Sequence, residues 1–188
     1  MSEIPPQTRG VIFDINGTLL NESSGSRIYE RPGLAEAFGW LSKIGVKVGV
    51  VTSFSEDYAK RLLDSIEVLD FFDEAHILGA GSIRSVEVTG LVQQRVSGWR
   101  GLLGSTKEVK VIKSAYMLLE EKPNPAQVNY LLQDWQLDPS HALYVGDDDF
   151  FDAMCAKSAG VRFAHIRGIG GYTGDSPVSM YEFLIDNI

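Results

Sequence analysis

Short apolar runs alternate with amphipathic segments along most of this 188-residue chain. Five of the runs are too short for helices and are predicted as strands: Val11–Asp14, Val46–Val51, Glu74–Leu78, Ala142–Val145 and Val161–His165. Segments with apolar residues at helical spacing follow most of them, the first beginning near Pro32. Strands that alternate with helices predict an α/β fold with a Rossmann-like parallel sheet and helices on both faces.

Two segments break this alternation. Residues 21–31 are polar and contain serine and glycine, which predicts a flexible loop that is too short for a large cap domain. Residues 79–112 are long and rich in glycine and serine, and we interpret them as an insertion within a single domain that covers 1–188. Because long insertions at the functional edge of a sheet often act as lids, we expect a small lid here. A site so little covered admits a large substrate, unless a second copy of the chain in a homo-oligomer closes it.

The insertion also differs from the rest of the chain in charge. The segment from Arg84 to Lys113, which ends one residue beyond the insertion, has six basic and two acidic residues and a net charge of +4, in a chain of net charge −8. One hypothesis is that the basic residues and Trp99 hold a second anionic part of a substrate. The alternative is a solvated surface without a partner.

Composition narrows the class of protein. The chain is 22% charged and 44% apolar, as is usual for globular proteins. Its acidic balance makes it a poor candidate for nonspecific binding to nucleic acid or to an anionic membrane. No apolar run has the length of a membrane span or of a signal peptide, so the expected location is the cytoplasm. The single cysteine, Cys155, excludes an intrachain disulfide and is predicted to be buried in a helix.

The candidate chemistry lies where the predicted strands end. In open parallel sheets, ligands bind just beyond the carboxyl ends of the strands. Polar residues stand at or near these ends, and one stands before a helix: Asp14, Thr52, Ser53, Lys122, Asp147, Asp148 and Asp152. Taken singly, each has an ordinary explanation as a cap, a turn residue or part of a solvated loop.

Together these residues supply the groups that phosphoryl transfer requires. A carboxylate such as Asp14 can attack phosphorus and form an aspartyl-phosphate. A cluster of carboxylates can bind Mg²⁺ together with phosphate oxygens and water. A hydroxyl such as that of Thr52 and an amine such as that of Lys122 can hold the remaining phosphoryl oxygens.

Four segments occur in an order that matches a known family: D-I-N-G-T-L, V-V-T-S, K-P-N-P and V-G-D-D-D-F-F-D. On these motifs the sequence resembles the haloacid dehalogenase-like hydrolase superfamily, in its phosphatase type. The resemblance covers nearly the whole chain outside 79–112. It implies Mg²⁺ as cofactor and a phosphorylated small molecule as substrate.

The resemblance also implies a role for each motif residue. Asp14 would be the nucleophile and a Mg²⁺ ligand, and Thr52, Ser53 and Lys122 would bind the phosphoryl group. Asp147 would be the second metal carboxylate, supported by Asp148 or Asp152, between which the spacing does not decide. The backbone carbonyl of Asn16 would be a further metal ligand.

Asn16 departs from the family pattern. Phosphatases of the superfamily usually carry aspartate at this position, where it protonates the leaving oxygen and then activates water. An amide can donate a hydrogen bond but cannot deliver or accept that proton. Three explanations remain open: a substrate with a good leaving group, a protein that has become a binding module, or a substitution introduced to slow turnover. The sequence therefore predicts a Mg²⁺-dependent phosphohydrolase weakened at Asn16. The alternatives are an impaired protein that binds metal and a phosphorylated ligand or partner, and an interaction scaffold that binds no Mg²⁺.

Overall fold

The computed structural model of the protein describes residues 7–23, 27–95, 106–167 and 178–188. The chain divides into two compact units. The larger one is formed by the residues up to Ser82 and from Glu120 onward, and the smaller one is Ile83–Leu119.

The larger unit is built on a five-stranded parallel sheet. Its strands are β1 (Gly10–Phe13), β4 (Lys47–Ser55), β5 (Ile77–Ala80), β8 (Ala142–Gly146) and β9 (Arg162–His165), numbered in chain order. Their spatial order is β5-β4-β1-β8-β9, so β1 is central and pairs with both β4 and β8. The predicted parallel sheet is confirmed, and the carboxyl ends of β1, β4 and β8 meet at one edge.

Helices cover both faces of this sheet. They are α1 (Leu34–Lys43), α2 (Glu56–Ser65), α3 (Ala126–Trp135), α4 (Phe151–Ser158) and α5 (Met180–Asn187). Phe13 of β1 packs on Phe38 of α1, with ring centroids 5.2 Å apart, in a core that includes buried residues of α2 and α5. On the opposite face a Cβ at Gly49 would lie 2.9 Å from Trp135, so α3 packs directly on the strand backbone there.

The segment 21–31, predicted as a flexible loop, contains strands instead. β2 (Leu20–Ser23) and β3 (Arg27–Glu30) pair antiparallel, with Leu20 opposite Glu30. The prediction was wrong because a short two-stranded ribbon needs no apolar stripe. Ile28 and Tyr29, for example, are 41% and 48% exposed.

The third strand predicted from the sequence also begins at a different residue in the structure. This strand was predicted at Glu74–Leu78, but Glu74–His76 form a turn of 3₁₀-helix and β5 begins at Ile77. Asp73 accepts a hydrogen bond from the Ala75 amide and thereby caps that turn. A capped turn directly before a strand is easily taken for the strand itself, because both are short.

The smaller unit contains one long antiparallel hairpin. β6 (Ile83–Arg95) pairs with β7 (Thr106–Leu118) from Ile83 opposite Leu118 to Arg95 opposite Thr106. The hairpin occupies most of the predicted insertion and continues beyond its expected end at residue 112. Trp99 and Arg100 lie outside the described residues. The lid and the basic substrate-binding surface stay predictions.

Within the described parts of the chain, no helix combines the length and the apolar character needed to cross a membrane.

Cys155 provides a test of how tightly α4 packs. Its side chain is buried, and burial raises the pKa of the thiol from 9.0 to about 12. We expect the folded chain to react with a thiol reagent near neutral pH far more slowly than the urea-unfolded chain does.

The same pKa shift has a consequence for stability. The unfolded thiol ionises above about pH 9 while the folded thiol keeps its proton. The free energy of unfolding should therefore fall as the pH rises from 9 toward 12, and a Cys155→Ala variant should lack this component. Equal labelling rates for the folded and unfolded chains would contradict the burial.

Candidate active site

One cavity of about 240 Å³ lies at the carboxyl edge of the sheet. It brings together all eight candidate residues of the four motifs. Its lining comprises Asp14, Asn16, Thr52, Ser53, Lys122, Asp147, Asp148 and Asp152, joined by Phe54 and Phe151. The structure therefore places these residues side by side, although they come from segments more than a hundred residues apart.

Lys122 connects two of the carboxylates. Its Nζ donates to Oδ1 of Asp14 at 2.6 Å and to Oδ1 of Asp152 at 2.7 Å. The side chains of Lys122, Asp14 and Asp152 are only 4%, 7% and 1% exposed. An ammonium has three protons, so one remains that Lys122 can donate to a ligand oxygen.

This buried ion network alters the pKa values of both main partners. Burial raises the pKa of Asp14 to about 7, against the opposing effect of the Lys122 charge. Burial alone would lower the pKa of Lys122, but the charges of Asp14 and Asp152 outweigh it, and the net shift is upward. Lys122 is therefore a cation at neutral pH. A divalent cation beside Asp14 would favour its carboxylate form.

Asp152 is held from several directions. Besides Lys122, its Oδ1 lies 3.1 Å from the Tyr144 hydroxyl, and its Oδ2 accepts a hydrogen bond from the Asp148 amide at 3.2 Å. A Cβ on Gly146 would overlap the Asp152 carboxylate, so the absence of a side chain on the last residue of β8 makes room for this acid. Sequence reasoning missed Tyr144, because within β8 it is indistinguishable from an ordinary core residue.

Three carboxylates form a cluster suited to a cation. Asp14, Asp147 and Asp152 each offer one oxygen, and these oxygens lie within 4.8 Å of one another. Burial raises the pKa of Asp147 and the charge of Asp152 raises it further, against the opposing effect of the Lys122 charge, so a divalent cation would relieve the repulsion between the carboxylates. Hard carboxylate oxygens are the ligands that Mg²⁺ prefers.

Asp148 has a different environment from the other acids. Its Oδ1 accepts hydrogen bonds from the amides of Phe150 and Phe151, at 2.7 and 2.6 Å, where α4 begins. Such a carboxylate caps a helix. Of the two candidates for supporting the metal, Asp152 is the one that lies within the acidic cluster.

The loop after β1 contains the further candidate ligand, the backbone carbonyl of Asn16. The Gly17 amide donates to the Leu20 carbonyl at 2.7 Å. Because a trans peptide unit is planar, the carbonyl of Asn16 then points away from Leu20. Gly17 has a φ of +82°, and a Cβ there would overlap the Asp147 carboxylate. The donor set and this close approach fit a small hard cation such as Mg²⁺.

Arg31, which contacts the loop after β1, is a second residue that sequence reasoning missed. It is 1% exposed, and its guanidinium donates to the carbonyls of Gly17, Thr18, Arg167 and Val178. Burial lowers its pKa to about 10, so it stays charged at neutral pH. An arginine at the end of a polar loop carries no sequence signal for burial.

Thr52 and Ser53 line the cavity from a stretch of β4 whose pairing is irregular. Its register with β5 shifts between Val51 and Ser55. Within this irregular stretch the Phe54 amide donates to Oγ1 of Thr52 at 3.3 Å. Thr52 is buried, whereas Ser53 is exposed.

A separate cavity of about 350 Å³ lies beside Lys47, at the start of β4, and is also lined by His76 and Trp135. Its polar groups bond mainly to nearby protein atoms. Lys47 Nζ donates to the Trp135 carbonyl at 3.1 Å, and His76 Nε2 lies 2.7 Å from an oxygen of Asp134. It contains no acidic cluster among the described residues, so the cavity at the carboxyl edge is the candidate active site.

Comparisons with known proteins agree with this geometry. The sequence profile of the family described as haloacid dehalogenase-like hydrolase matches residues 89–166, which include Lys122 and Asp147. The structure is similar to a haloacid dehalogenase-superfamily hydrolase, subfamily IA, from Geobacter sulfurreducens. The TM-score is 0.61 at 16% identity, over 96% of this chain and 100% of that one. The chain has the haloacid dehalogenase-like fold.

A haloacid dehalogenase phosphatase from Thermococcus onnurineus gives the same result. Its TM-score is 0.61 at 17% identity, over 96% of this chain and 98% of that one. The resemblance that the four motifs indicated is thus confirmed.

Curated relatives of this chain include phosphatases. Phosphoglycolate phosphatase 1 of Pseudomonas aeruginosa is 24% identical over 159 residues, which are 84% of this chain and 44% of that protein. Phosphoglycolate phosphatase of Nitrosococcus oceani is 24% identical over 168 residues, 89% of this chain and 57% of that protein. The chain thus spans less than half the length of the first of these relatives.

The close approach of Gly17 to Asp147 can be tested with a matched pair of variants. Gly45 also has a positive φ, +72°, but a Cβ there would have nothing within 4 Å. Alanine at either position should cost about 1–2 kcal/mol of stability from the left-handed backbone alone. Gly17→Ala should cost more and should weaken Mg²⁺ binding, because the new Cβ displaces Asp147.

Urea unfolding and calorimetric Mg²⁺ titration of Gly17→Ala and Gly45→Ala measure both effects. Equal stability and equal Mg²⁺ affinity in the two variants would show that the space beside Asp147 is not used by the site.

Proposed function

We propose that the protein is a Mg²⁺-dependent phosphohydrolase that acts through an aspartyl-phosphate on Asp14. One observation carries the proposal. The nucleophile candidate, a buried lysine and the acidic cluster meet in a single cavity at the carboxyl edge of the sheet. The phosphatases among the curated relatives support the same class of reaction.

In the first step a carboxylate oxygen of Asp14 attacks phosphorus, and the bond from phosphorus to the leaving oxygen breaks. Lys122 binds Oδ1 of Asp14, which leaves Oδ2 for the attack. Lys122 and the Thr52 hydroxyl donate to the phosphoryl oxygens as charge moves onto them. In the second step water attacks the same phosphorus, which releases inorganic phosphate and restores the carboxylate.

Asp14, Asp147 and the Asn16 carbonyl would hold the Mg²⁺, with Asp152 placed beside them. A bound Mg²⁺ would screen the repulsion between the incoming phosphate and the carboxylates. Asp152 keeps Lys122 in place through its hydrogen bond to Nζ, so it contributes to the site even without touching the metal.

The proton chemistry is the part of the mechanism that Asn16 changes. Asn16 lines the cavity and is exposed, and a side-chain amide there could donate a hydrogen bond to the leaving oxygen without protonating it. Aryl and acyl phosphates expel stable anions and tolerate this loss in the first step. A phosphoglycolate-like substrate, as named for the relatives, expels an alkoxide and would be slowed strongly.

A binding role for the same site is the second candidate. It is favoured by the combination of a complete acidic cluster with asparagine at the acid–base position. Such a protein would hold the metal and a phosphorylated ligand or partner without turnover.

The cytoplasmic location and a homo-oligomer that covers the site both stay predictions from the sequence.

Metal binding can be tested by thermal unfolding. Mg²⁺ should raise the melting temperature of the chain, because it binds the folded state and relieves the repulsion within the acidic cluster. Asp147→Asn should abolish most of this increase. Asp149→Asn is the matched control, because Asp149 is 84% exposed, pairs with His165 and is not among the cavity-lining residues. If Mg²⁺ leaves the melting temperature of all three proteins unchanged, the proposed metal binding is wrong.

Asn16→Asp tests the acid–base interpretation directly. General acid–base catalysis typically contributes about 10²–10⁴-fold, so the variant should hydrolyse alkyl phosphates such as phosphoglycolate at least about 10²-fold faster. The increase should be smaller for aryl phosphates, and the unmodified chain should accumulate phosphate on Asp14.

Steady-state rates at matched Mg²⁺ and mass spectrometry of acid-quenched protein provide the two measurements. If the Asn16→Asp variant is no faster on any phosphate, and no phosphorylated Asp14 appears, the binding role replaces the phosphatase.

A further inference from the structure

Arg31 is a buried cation bonded entirely to backbone carbonyls in the described structure. Its Nε donates to Thr18, its Nη2 to Gly17 at 2.8 Å and to Arg167 at 2.7 Å, and its Nη1 to Val178 at 3.1 Å. Two of these carbonyls belong to the loop that follows Asp14. The other two belong to distant parts of the chain, so the guanidinium ties this loop to the rest of the larger unit.

The backbone of Arg31 holds the same loop. Its amide donates to the Leu19 carbonyl at 2.9 Å, and the Gly17 amide is itself bonded to the Leu20 carbonyl. Residues 17–20 are therefore held on both sides. The orientation of the peptide unit between Asn16 and Gly17 then follows, and with it the direction of the Asn16 carbonyl.

The guanidinium geometry is essential to this arrangement. Arginine presents donors in a rigid planar fork that can reach several separated acceptors, whereas lysine carries its three protons on one nitrogen. Lysine at position 31 would keep the charge but could not reach all four carbonyls.

We propose that Arg31 is a positioning residue for the metal site. It fixes the peptide units next to Asn16 before the metal binds, so that the Asn16 carbonyl and the Asp147 carboxylate are already in place. The inference rests on the proposed function, since it assigns Arg31 a task at the same site. It goes beyond that function because the nucleophile, the phosphate-binding groups and the metal ligands named above do not include Arg31.

A charge effect would give the opposite result from a positioning effect. Arg31 interacts electrostatically with Asp147, as the effect of that carboxylate on the Arg31 pKa shows. A nearby positive charge repels a divalent cation, so if charge dominated, Arg31→Met would bind Mg²⁺ more tightly. If positioning dominates, both Arg31→Met and Arg31→Lys bind Mg²⁺ more weakly.

The experiment is a calorimetric Mg²⁺ titration of the metal-stripped chain and of these two variants, with urea unfolding of each protein. The matched control is Gln127→Met. Gln127 is fully buried and donates to the Gly79 carbonyl at 2.8 Å, but it does not line the site cavity. We expect the Mg²⁺ dissociation constant to rise about 10- to 100-fold in both Arg31 variants, as is typical when residues that orient metal ligands are lost. In Gln127→Met the dissociation constant should stay unchanged.

A second measurement uses the unmodified chain and does not depend on whether the variants fold. Without metal, the amides of Gly17 and Leu19 should already exchange hydrogen as slowly as those of β1. Fast exchange that becomes slow only when Mg²⁺ is added would mean that the metal, not Arg31, orders the loop, and would overturn the inference.

Failure of this inference can be told from failure of the proposed function. A folded Arg31→Lys with unchanged Mg²⁺ affinity, or an Arg31→Met with higher affinity, overturns the role of Arg31 alone. Absence of Mg²⁺ binding in the unmodified chain overturns the metal-dependent mechanism, and the inference with it. Absence of hydrolysis with Arg31-dependent Mg²⁺ binding leaves the inference standing and removes the phosphatase.

Discussion

The arrangement of the site depends on a buried ammonium shared between two carboxylates. Lys122 contacts Asp14 after β1 and Asp152 on α4, and all three side chains are almost completely buried. Ions buried in this way lose their hydration, and removing one partner leaves an uncompensated charge inside the protein. The three residues come from distant segments, so the contact forms only when β1 and β8 are paired and α4 has packed beside them. The candidate nucleophile is thus placed by the same folding event that completes the sheet.

Much of the sheet and of the site could be predicted because both follow from local patterns. Apolar runs marked the strands, and the rule that ligands bind at carboxyl ends selected Asp14, Thr52 and Asp147. Local patterns could not separate Asp148 from Asp152, since that depends on which carboxylate is used by the first turn of α4. Arg31 and Tyr144 were not predicted as functional residues, because their roles come from contacts with residues far away in sequence. The β2–β3 ribbon was missed because an exposed pair of strands needs no apolar alternation.

In the proposed phosphoryl transfer, the site would meet two requirements with different residues: the stabilisation of charge and the transfer of protons. The residues that handle charge are present and well supported, with Lys122 bonded twice and Asp152 bonded to three donors. The position that would handle protons carries an amide. Electrostatic stabilisation requires groups fixed before the reaction begins, whereas proton transfer requires a group whose pKa suits the task. Folding alone places the charged groups, and their placement does not depend on which residue transfers the proton.

Gly17 and Gly146 contribute to the site by having no side chain, which leaves room for two carboxylates. Each lies where a methyl group would occupy the volume taken by a carboxylate, Asp147 in one case and Asp152 in the other. The positions of these acids are therefore specified partly by atoms that are absent. In a search for chains with the same chemistry, the two glycines carry information comparable to that of the acids. A chain that keeps both aspartates but replaces either glycine would keep the acidic side chains and lose the space that positions them.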